Sequence, residues 1–312
     1  MKLAFIVDPL DDFKLEKDTT YAIMREAAAR GHTLYALQQE DLAWHKQSVI
    51  GHASRLHLTG ETPDWYRLDA PTDTPLEQFD AVLMRKDPPF DMEYVYSTYL
   101  LEMAEQYGAR VFNRPQAIRD YNEKMAIGRF AEFTAPTLVT RRTPLLHDFL
   151  REHADVILKP LDGMGGASVF RVRLDDPNIN VIIETLTGNG HRTIMAQRYL
   201  PEISDGDKRV LVIGGRPVPY CLARIPKAGE TRGNLAAGGT GIARELTARD
   251  RVIAETLGPQ LMAAGLLLVG LDVIGNCLTE VNVTSPTCFQ EITQQSGFNV
   301  SAMFLESLEK SI

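Results

Sequence analysis

The stretch GLDVIGNCLTEVNV, Gly270–Val283, decides how the rest of this chain reads. It predicts two short strands around a Gly-Asn turn signal. Glu280 and Asn282 are two apart, so on a strand their side chains leave the same face. Whether Asp272 joins them depends on the turn. A two-residue turn would place Asp272 beside Val281, on the apolar face. A three-residue turn through Gly275, Asn276 and Cys277 sets it opposite Glu280 and groups Leu271 and Val273 with Val281 and Val283. Only the second register keeps polar with polar, so it is the expected one. Two carboxylates and an amide oxygen then converge. Hard oxygens of that kind suit Mg²⁺ bridging substrate phosphates better than an all-protein metal cage.

The 312 residues predict about two domains and a core of ordinary size. With 44% hydrophobic and 24% charged residues the chain reads as a globular protein. A net charge of −8 argues against a nucleic-acid surface as its main business. No apolar run approaches the ~20 residues of a membrane span. MKLAFIVDP at the N-terminus is too short in apolar residues for a signal-peptide core and reads as a first strand. Cys221, Cys277 and Cys288 show no CxxC spacing, so neither a disulfide framework nor a zinc site is expected. A reducing cytoplasm is the expected home.

The first third alternates strand and helix: LAFIVD, a helix over Asp18–Arg30 stopped by Gly31, TLYAL, DAVLMR, a helix from about Asp91 to Tyr107, and ARVFN. The polar stretch before Asp80 carries no clear period. This pattern predicts an open parallel sheet whose ligands gather at the strand ends, where Asp8, Arg85 and Asn113 stand. Helical signals continue through Pro115–Phe130. From Val156 the pattern turns to hairpins: VILKP with ASVFRV, RVLVI with RPVPYCLARI across Gly214-Gly215, and the Asp272 pair. Pro226–Gly241, PKAGETRGNLAAGGTG, holds five glycines in sixteen residues and reads as a lid or a disordered loop.

KPLDGMGGAS, Lys159–Ser168, lacks the GK[ST] ending of a P-loop and precedes a strand, so no helix N-terminus is offered to a phosphate. It reads either as a hairpin tip whose N–H groups close over a triphosphate or as a plain Gly-rich turn. The Gly214-Gly215 turn pairs Arg209 with Tyr220 and puts Arg224 on the face of Arg209. Two guanidiniums so aimed would clamp a phosphoryl group, unless they are solvated surface arginines. Asp205 and Asp207 could each accept from a ribose hydroxyl or sit in a solvated turn. LAFIVDPLDD offers no GxGxxG after the first strand, which excludes a plain dinucleotide-binding dehydrogenase.

Taken in order, Lys124, LKPLDGMGGAS (Leu158–Ser168), Gln197-Arg-Tyr-Leu, DGDKRVLV (Asp205–Val212), PYCLARIP, ETRGNLAAGG, Asp272 and NVTSPTC (Asn282–Cys288), with MRKDPPFD (Met84–Asp91) upstream, resemble the ATP-grasp ligases. Within them the strings are close to the bacterial-type glutathione synthetases. The resemblance covers nearly the whole chain. It implies a Rossmann-like N-terminal domain over residues 1–122, an ATP-grasp lid subdomain over 123–200 and a catalytic subdomain over 201–312, the last two clasping ATP between antiparallel sheets. It implies ATP contacts from Lys124, Lys159, Gly163, Gly165, Gly166, Gln197, Tyr199, Leu200 and Asp207. Asp272, Glu280 and Asn282 would hold Mg²⁺ or Mn²⁺. Arg209, Arg224 and Arg232 would serve catalysis, and Arg85, Arg232, Thr284 and Ser285 the substrates. The implied reaction joins γ-glutamylcysteine to glycine through an acylphosphate, forming glutathione, ADP and phosphate. The implied partners are these small molecules and further copies of the chain, with no nucleic acid and no membrane. The nearest rivals are another carboxylate–amine ligase of this fold and a non-catalytic MgATP-binding regulator.

Overall fold

Strand and helix alternate at the start as the apolar runs predict: β1 (Lys2–Ile6), α1 (Thr19–Ala29) and β2 (Thr33–Leu37). The Asp18 carboxylate caps α1 by accepting from the Tyr21 N–H, and Gly31 ends it at a φ of +79°. The stretch with no clear period folds as β3 (Leu42–His45), β4 (Ser48–Leu58), β5 (Tyr66–Leu68) and β6 (Thr72–Pro75), followed by β7 (Ala81–Met84), α2 (Met92–Gln106), β8 (Val111–Phe112) and α3 (Pro115–Asp120). β1 pairs in parallel with β2 and β7, and β7 with β8. β4 joins β2 antiparallel and carries β3, β5 and β6. The expected parallel sheet is therefore only the centre of a mixed one. Its antiparallel wing has one wet face and no apolar runs, which hides it in the sequence.

This computed structural model describes residues 1–235 and 238–312. Ala236 and Ala237, inside the expected Pro226–Gly241 lid, lie outside the described residues. After 3₁₀ turns over Met125–Phe133 come β9 (Thr137–Thr140), α4 (Thr143–His153), β10 (Asp155–Pro160), β11 (Phe170–Arg173), α5 (Ile179–Thr187) and β12 (Ile194–Arg198). They form an antiparallel sheet in the order β11-β10-β12-β9. Leu146 and Leu150 of α4 and Ile183 of α5 pack on Val156, Leu158 and Ile194 of the sheet.

The last unit is β13 (Asp207–Ile213), β14 (Arg216–Ile225), β15 (Thr240–Glu245), α6 (Ala248–Ala263), β16 (Leu268–Ile274), β17 (Cys277–Asn282), α7 (Phe289–Ser296) and α8 (Val300–Ser311). Its sheet runs β15-β14-β13-β16-β17, antiparallel throughout. α7 and α8 bring Phe289 and Phe304 into one core with Phe5 and Ile23, so the C-terminal helices are anchored on the first sheet. Asn113, at the end of β8, donates to the carbonyls of Leu268 and Val283 and accepts from the Leu268 N–H. That strand end is a staple between sheets and not a ligand contact.

Two registers differ from expectation. The Gly214-Gly215 turn forms with both φ positive, and Ile213 faces Arg216. Beyond it the pairing slips by two, from Val212 with Pro217 to Val210 with Cys221, so Arg209 faces Leu222 and not Tyr220. Pro219 lies in the slipped segment and has no N–H for the ladder. A slip of two preserves the side-chain alternation, so Arg209 and Arg224 still share a face. In the β16–β17 hairpin the turn is the two-residue Gly275-Asn276, with Ile274 facing Cys277. The register then shifts between Asp272 and Val273, and Asp272 does face Glu280. Thr279 takes up the extra position and donates to the Asp272 carbonyl. The pairing is as expected; it arises from a bulge and not from a three-residue turn.

Candidate active site

A cavity of about 320 Å³ lies between the four-stranded and five-stranded sheets. β10 and β12 give it Lys159 and Gln197, while β13 and β14 give Asp207, Arg209 and Arg224. β16 and β17 give Asp272, Glu280 and Asn282. Lys124, Tyr199, Leu200, Thr284 and Ser285 also line it, with the glycines of the 163–166 tip and Arg232.

Charge at its floor is arranged in opposed pairs. Arg209 Nε donates to Asp272 Oδ1 at 2.6 Å, and an Arg224 terminal nitrogen reaches Asp272 Oδ2 at 2.9 Å and Asp207 Oδ2 at 2.6 Å. Gly270 makes this possible: a Cβ there would stand 2.9 Å from Arg209 Cδ. Burial works against ionisation of Asp272, but the two guanidiniums overcome it and hold its carboxyl far below the ordinary carboxylate range. Asp207 shares only Arg224. Burial, with the charges of Asp272 and Glu280 beside it, raises Asp207 to about 6. Its Oδ1 is buried without a hydrogen-bond partner, an acceptor turned to no donor of the chain. Glu280 Oε1 lies 3.3 Å from Lys159 Nζ and 3.8 Å from Lys124 Nζ. Lys124 also donates to the Gly163 carbonyl at 2.6 Å.

Asp207 carries a pH signature. Between its ordinary value of 3.8 and about 6 the folded chain binds more protons than the unfolded one. Ionising it therefore costs stability as pH rises through that window. Asp207→Asn, which cannot ionise, should gain stability relative to the parent between pH ~4 and ~6.5 in chemical denaturation. The same difference at both pH values would refute this assignment.

The residues present fit a hard divalent cation. Among the described residues no three His, Cys, Asp or Glu side chains converge, so a third protein oxygen must come from an amide. Asn282 faces Gly270 across the ladder and donates its Nδ2 to the Gly270 carbonyl at 3.2 Å. Its Oδ1 is the end left over, on the face of Asp272 and Glu280. Two carboxylates and one amide oxygen make an incomplete oxygen shell, suited to a metal finished by phosphates and water.

The 163–166 tip is held in a tight loop with Gly165 and Gly166 at positive φ. A Cβ on Gly166 would fall 2.7 Å from Asn234 Oδ1 and 3.2 Å from Arg232 Cδ, so the tip and the 231–235 segment close on each other. Gln197 Nε2 donates to Thr137 Oγ1. Tyr199 is fixed by Arg171, whose guanidinium lies 3.6 Å from the ring centroid and is itself held by Asp155 at 2.6 Å.

Arg85 departs from its expected place. It does not line the cavity; it is buried, and donates to Thr20 Oγ1 and the Pro286 carbonyl, both at 3.1 Å. Its work is to brace the 284–288 segment. Arg232 lines the cavity with its guanidinium 3.1 Å from Glu230. Thr284 donates to Glu123 Oε1 at 2.9 Å, and Ser285 donates to Asp87 Oδ1. Glu123 and Asp87 line the cavity too and were not singled out in the sequence. The available signals were Lys124, next to Glu123, and MRKDPPFD, which contains Asp87. Asp205 is outside the lining, and burial raises the Cys288 thiol, which leaves it a poor nucleophile.

With this geometry in view, residues 1–119 match the N-terminal domain of prokaryotic glutathione synthetase and residues 123–297 its ATP-grasp domain. The chain belongs to the prokaryotic glutathione synthetase family. A glutathione synthetase of Ralstonia nicotianae is 64% identical, over 100% of this chain and 96% of that protein. One of Pseudomonas aeruginosa is 53% identical, over 99% and 97%. Among solved structures, the D-cycloserine synthetase DcsG aligns with a TM-score of 0.69 at 16% identity, over 100% of this chain and 99% of that one. A RimK-domain ATP-grasp protein of Sphaerobacter thermophilus aligns at 0.64 and 19% identity, over 99% and 100%. The glutathione synthetase family chain thus has the ATP-grasp fold. No helix among the described residues is long and apolar enough to cross a membrane.

Proposed function

We propose that this protein joins γ-glutamylcysteine to glycine at the expense of ATP. The observation that carries this reading is the convergence, in one cavity, of two lysines, two guanidiniums and the Asp272–Glu280–Asn282 face. The dipeptide's glycyl-accepting carboxylate attacks the γ-phosphorus and ADP leaves. The amine of glycine then attacks the acyl carbon, and phosphate leaves with the acyl C–O bond broken. Lys124 and Lys159 hold the phosphates, trading their contacts with Glu280 and Gly163 for the nucleotide. Arg209 and Arg224 meet the charge on the transferring group, already aimed by Asp272. Asp207 Oδ1 takes a ribose hydroxyl as its missing donor, and the 163–166 tip closes over the triphosphate. Gln197, Tyr199 and Leu200 border the adenine. Asp272, Glu280 and Asn282 would hold Mg²⁺, which would supply positive charge to the phosphate oxygens. Arg232 meets a substrate carboxylate, with Thr284 and Ser285 beside it.

We divide the chain into a substrate domain over 1–122, a lid over 123–200 and a catalytic unit over 201–312, and place it in the cytoplasm, where its three free cysteines stay reduced. The decisive experiment measures ADP and peptide over a panel of acids and amines. With γ-glutamylcysteine, glycine and Mg²⁺ it should give one ADP per glutathione, and chelation of the metal should abolish turnover. Turnover with a different acid–amine pair and none with this one would overturn the substrate assignment. MgATP binding without any turnover would overturn the enzyme reading itself.

A further inference from the structure

Gln197 on β12 faces Thr137 on β9 to one side and Ile157 on β10 to the other. Directly opposed residues on neighbouring strands leave the same face of a sheet. Gln197 and Ile157 line the cavity, together with Ala135, just ahead of β9, and Leu200. Apolar side chains of this kind hold a flat ring by burial, and they do not tell one purine from another. The buried Gln197 amide is a polar group set among them. An amide accepts at one end and donates at the other, so its effect on a base depends on which end is turned outward. Thr137 settles that. Its hydroxyl donates to the Ala135 carbonyl at 2.9 Å. With its one proton committed, Oγ1 has only lone pairs to offer the neighbouring strand. Gln197 meets them with its donor end: Nε2 donates to Thr137 Oγ1 at 3.1 Å. Turning the amide over would set Gln197 Oε1 against an oxygen with no hydrogen left to give. Gln197 Oε1 takes no donor among the described residues. It is also not one of the sealed oxygens without a partner, which are Asp207 Oδ1 and Glu291 Oε2, so it opens on the cavity.

We propose that Thr137 is a positioning residue for nucleotide choice: by fixing the Gln197 amide with Oε1 toward the cavity, it makes the site select adenine over guanine. This inference rests on the proposed seat of the base beside Gln197. Adenine presents an exocyclic amine, a donor that Oε1 accepts. Guanine presents a carbonyl oxygen at the same place, and that oxygen meets Oε1 with no hydrogen between them. A free amide would turn over and donate to the guanine oxygen from Nε2. The anchored amide must first break its bond to Thr137 and then leave two acceptors apposed behind it. Discrimination therefore comes from the hydroxyl behind the amide as well as from the amide itself, with the wrong base excluded by an unpaired contact. Thr137 does not line the cavity, so it acts on the base only through Gln197.

The test is calorimetric binding of MgADP and MgGDP to the full chain, with Thr137→Val, Thr137→Ala and Thr137→Ser made separately. β9 is an edge strand, and valine keeps the branched shape that suits it while removing the hydroxyl. Alanine removes the hydroxyl by a different change of shape. The parent should prefer MgADP. In both variants without the hydroxyl the preference should fall about tenfold, the size of one neutral hydrogen bond, with MgGDP gaining and MgADP losing little. Thr137→Ser keeps the hydroxyl and should restore the parent's ratio. A loss of packing alone would weaken both nucleotides alike and leave the ratio unmoved. That result, a parent that binds the two nucleotides equally, or a serine variant that behaves as valine does would each overturn the proposal. Neither dipeptide nor glycine enters the measurement. A chain that selects MgADP through Thr137 yet makes no glutathione would overturn the proposed reaction and uphold this inference.

Discussion

Replacing Asp272 by Asn should lower ligation by two to three decades in kcat, the effect of removing one preorganised charged contact at the reacting group. Asp272 is the residue on which the site's charges meet. Arg209 and Arg224 both donate to it, and it faces Glu280 on the strand that also carries Asn282. The amide keeps the size and loses the charge. Arg224 then keeps Asp207 while Arg209 loses its ion-pair partner, and removing one partner of a buried pair costs about 3–5 kcal/mol of stability. Two losses should therefore appear together: a lower midpoint in chemical denaturation and an enzyme that is slow at saturating ATP and Mg²⁺. Turnover within tenfold of the parent, measured on folded protein, would remove Asp272 from the metal and phosphoryl site.

Shortening the 226–239 loop to a tight turn should collapse glutathione formation and raise the ATP consumed per peptide. The cut is sterically open, because Ile225 already faces Thr240 across the β14–β15 ladder. A two-residue turn of Asn-Gly type can close there without stretching either strand. What is lost is the wall made by Thr231–Leu235, which lines the cavity and touches the glycine tip of residues 163–166. An acylphosphate without that wall meets water, and the intermediate hydrolyses before the amine arrives. Nucleotide affinity should fall by less than about tenfold, since Lys124, Lys159 and the Asp272 face lie on other elements. Phosphate and glutathione measured side by side decide the matter. Full ligation at one ATP per product would show that the loop shields nothing.

Local signals carried far in this sequence. The cap at Asp18, the stop at Gly31 and the Gly214-Gly215 turn all follow from chemistry within a few residues, and each stands as read. Long-range strings carried the fold, since Lys124, LKPLDGMGGAS, DGDKR and EVN occur in one order, and the structure brings them into one cavity. The antiparallel wing over β3–β6 was lost because its half-wet strands show neither apolar runs nor a clean alternation. Glu123 and Asp87 were lost because nothing about a lone carboxylate in sequence tells which hydroxyl will reach it.

By itself, then, the sequence determined the alternation of elements in the first third, the hairpins of the second half and the face shared by Glu280 and Asn282, because side-chain period and turn chemistry are local. Tertiary structure alone decided the rest. Asp272 meets Glu280 through a shift beside Thr279, and Arg209 meets Leu222 through a slip at Pro219; both registers were settled by pairing with neighbouring strands. Arg85 reads from the sequence as a strand-end anchor for the dipeptide, and the packing of α1 and the 284–288 segment buries it against Thr20 and Pro286. Asp207 becomes the weak acid of the pair and Asp272 the strong one, because one guanidinium reaches the first and two reach the second. Which donor faces which acceptor depends on segments far apart in the chain, and only their packing brings them within hydrogen-bonding distance.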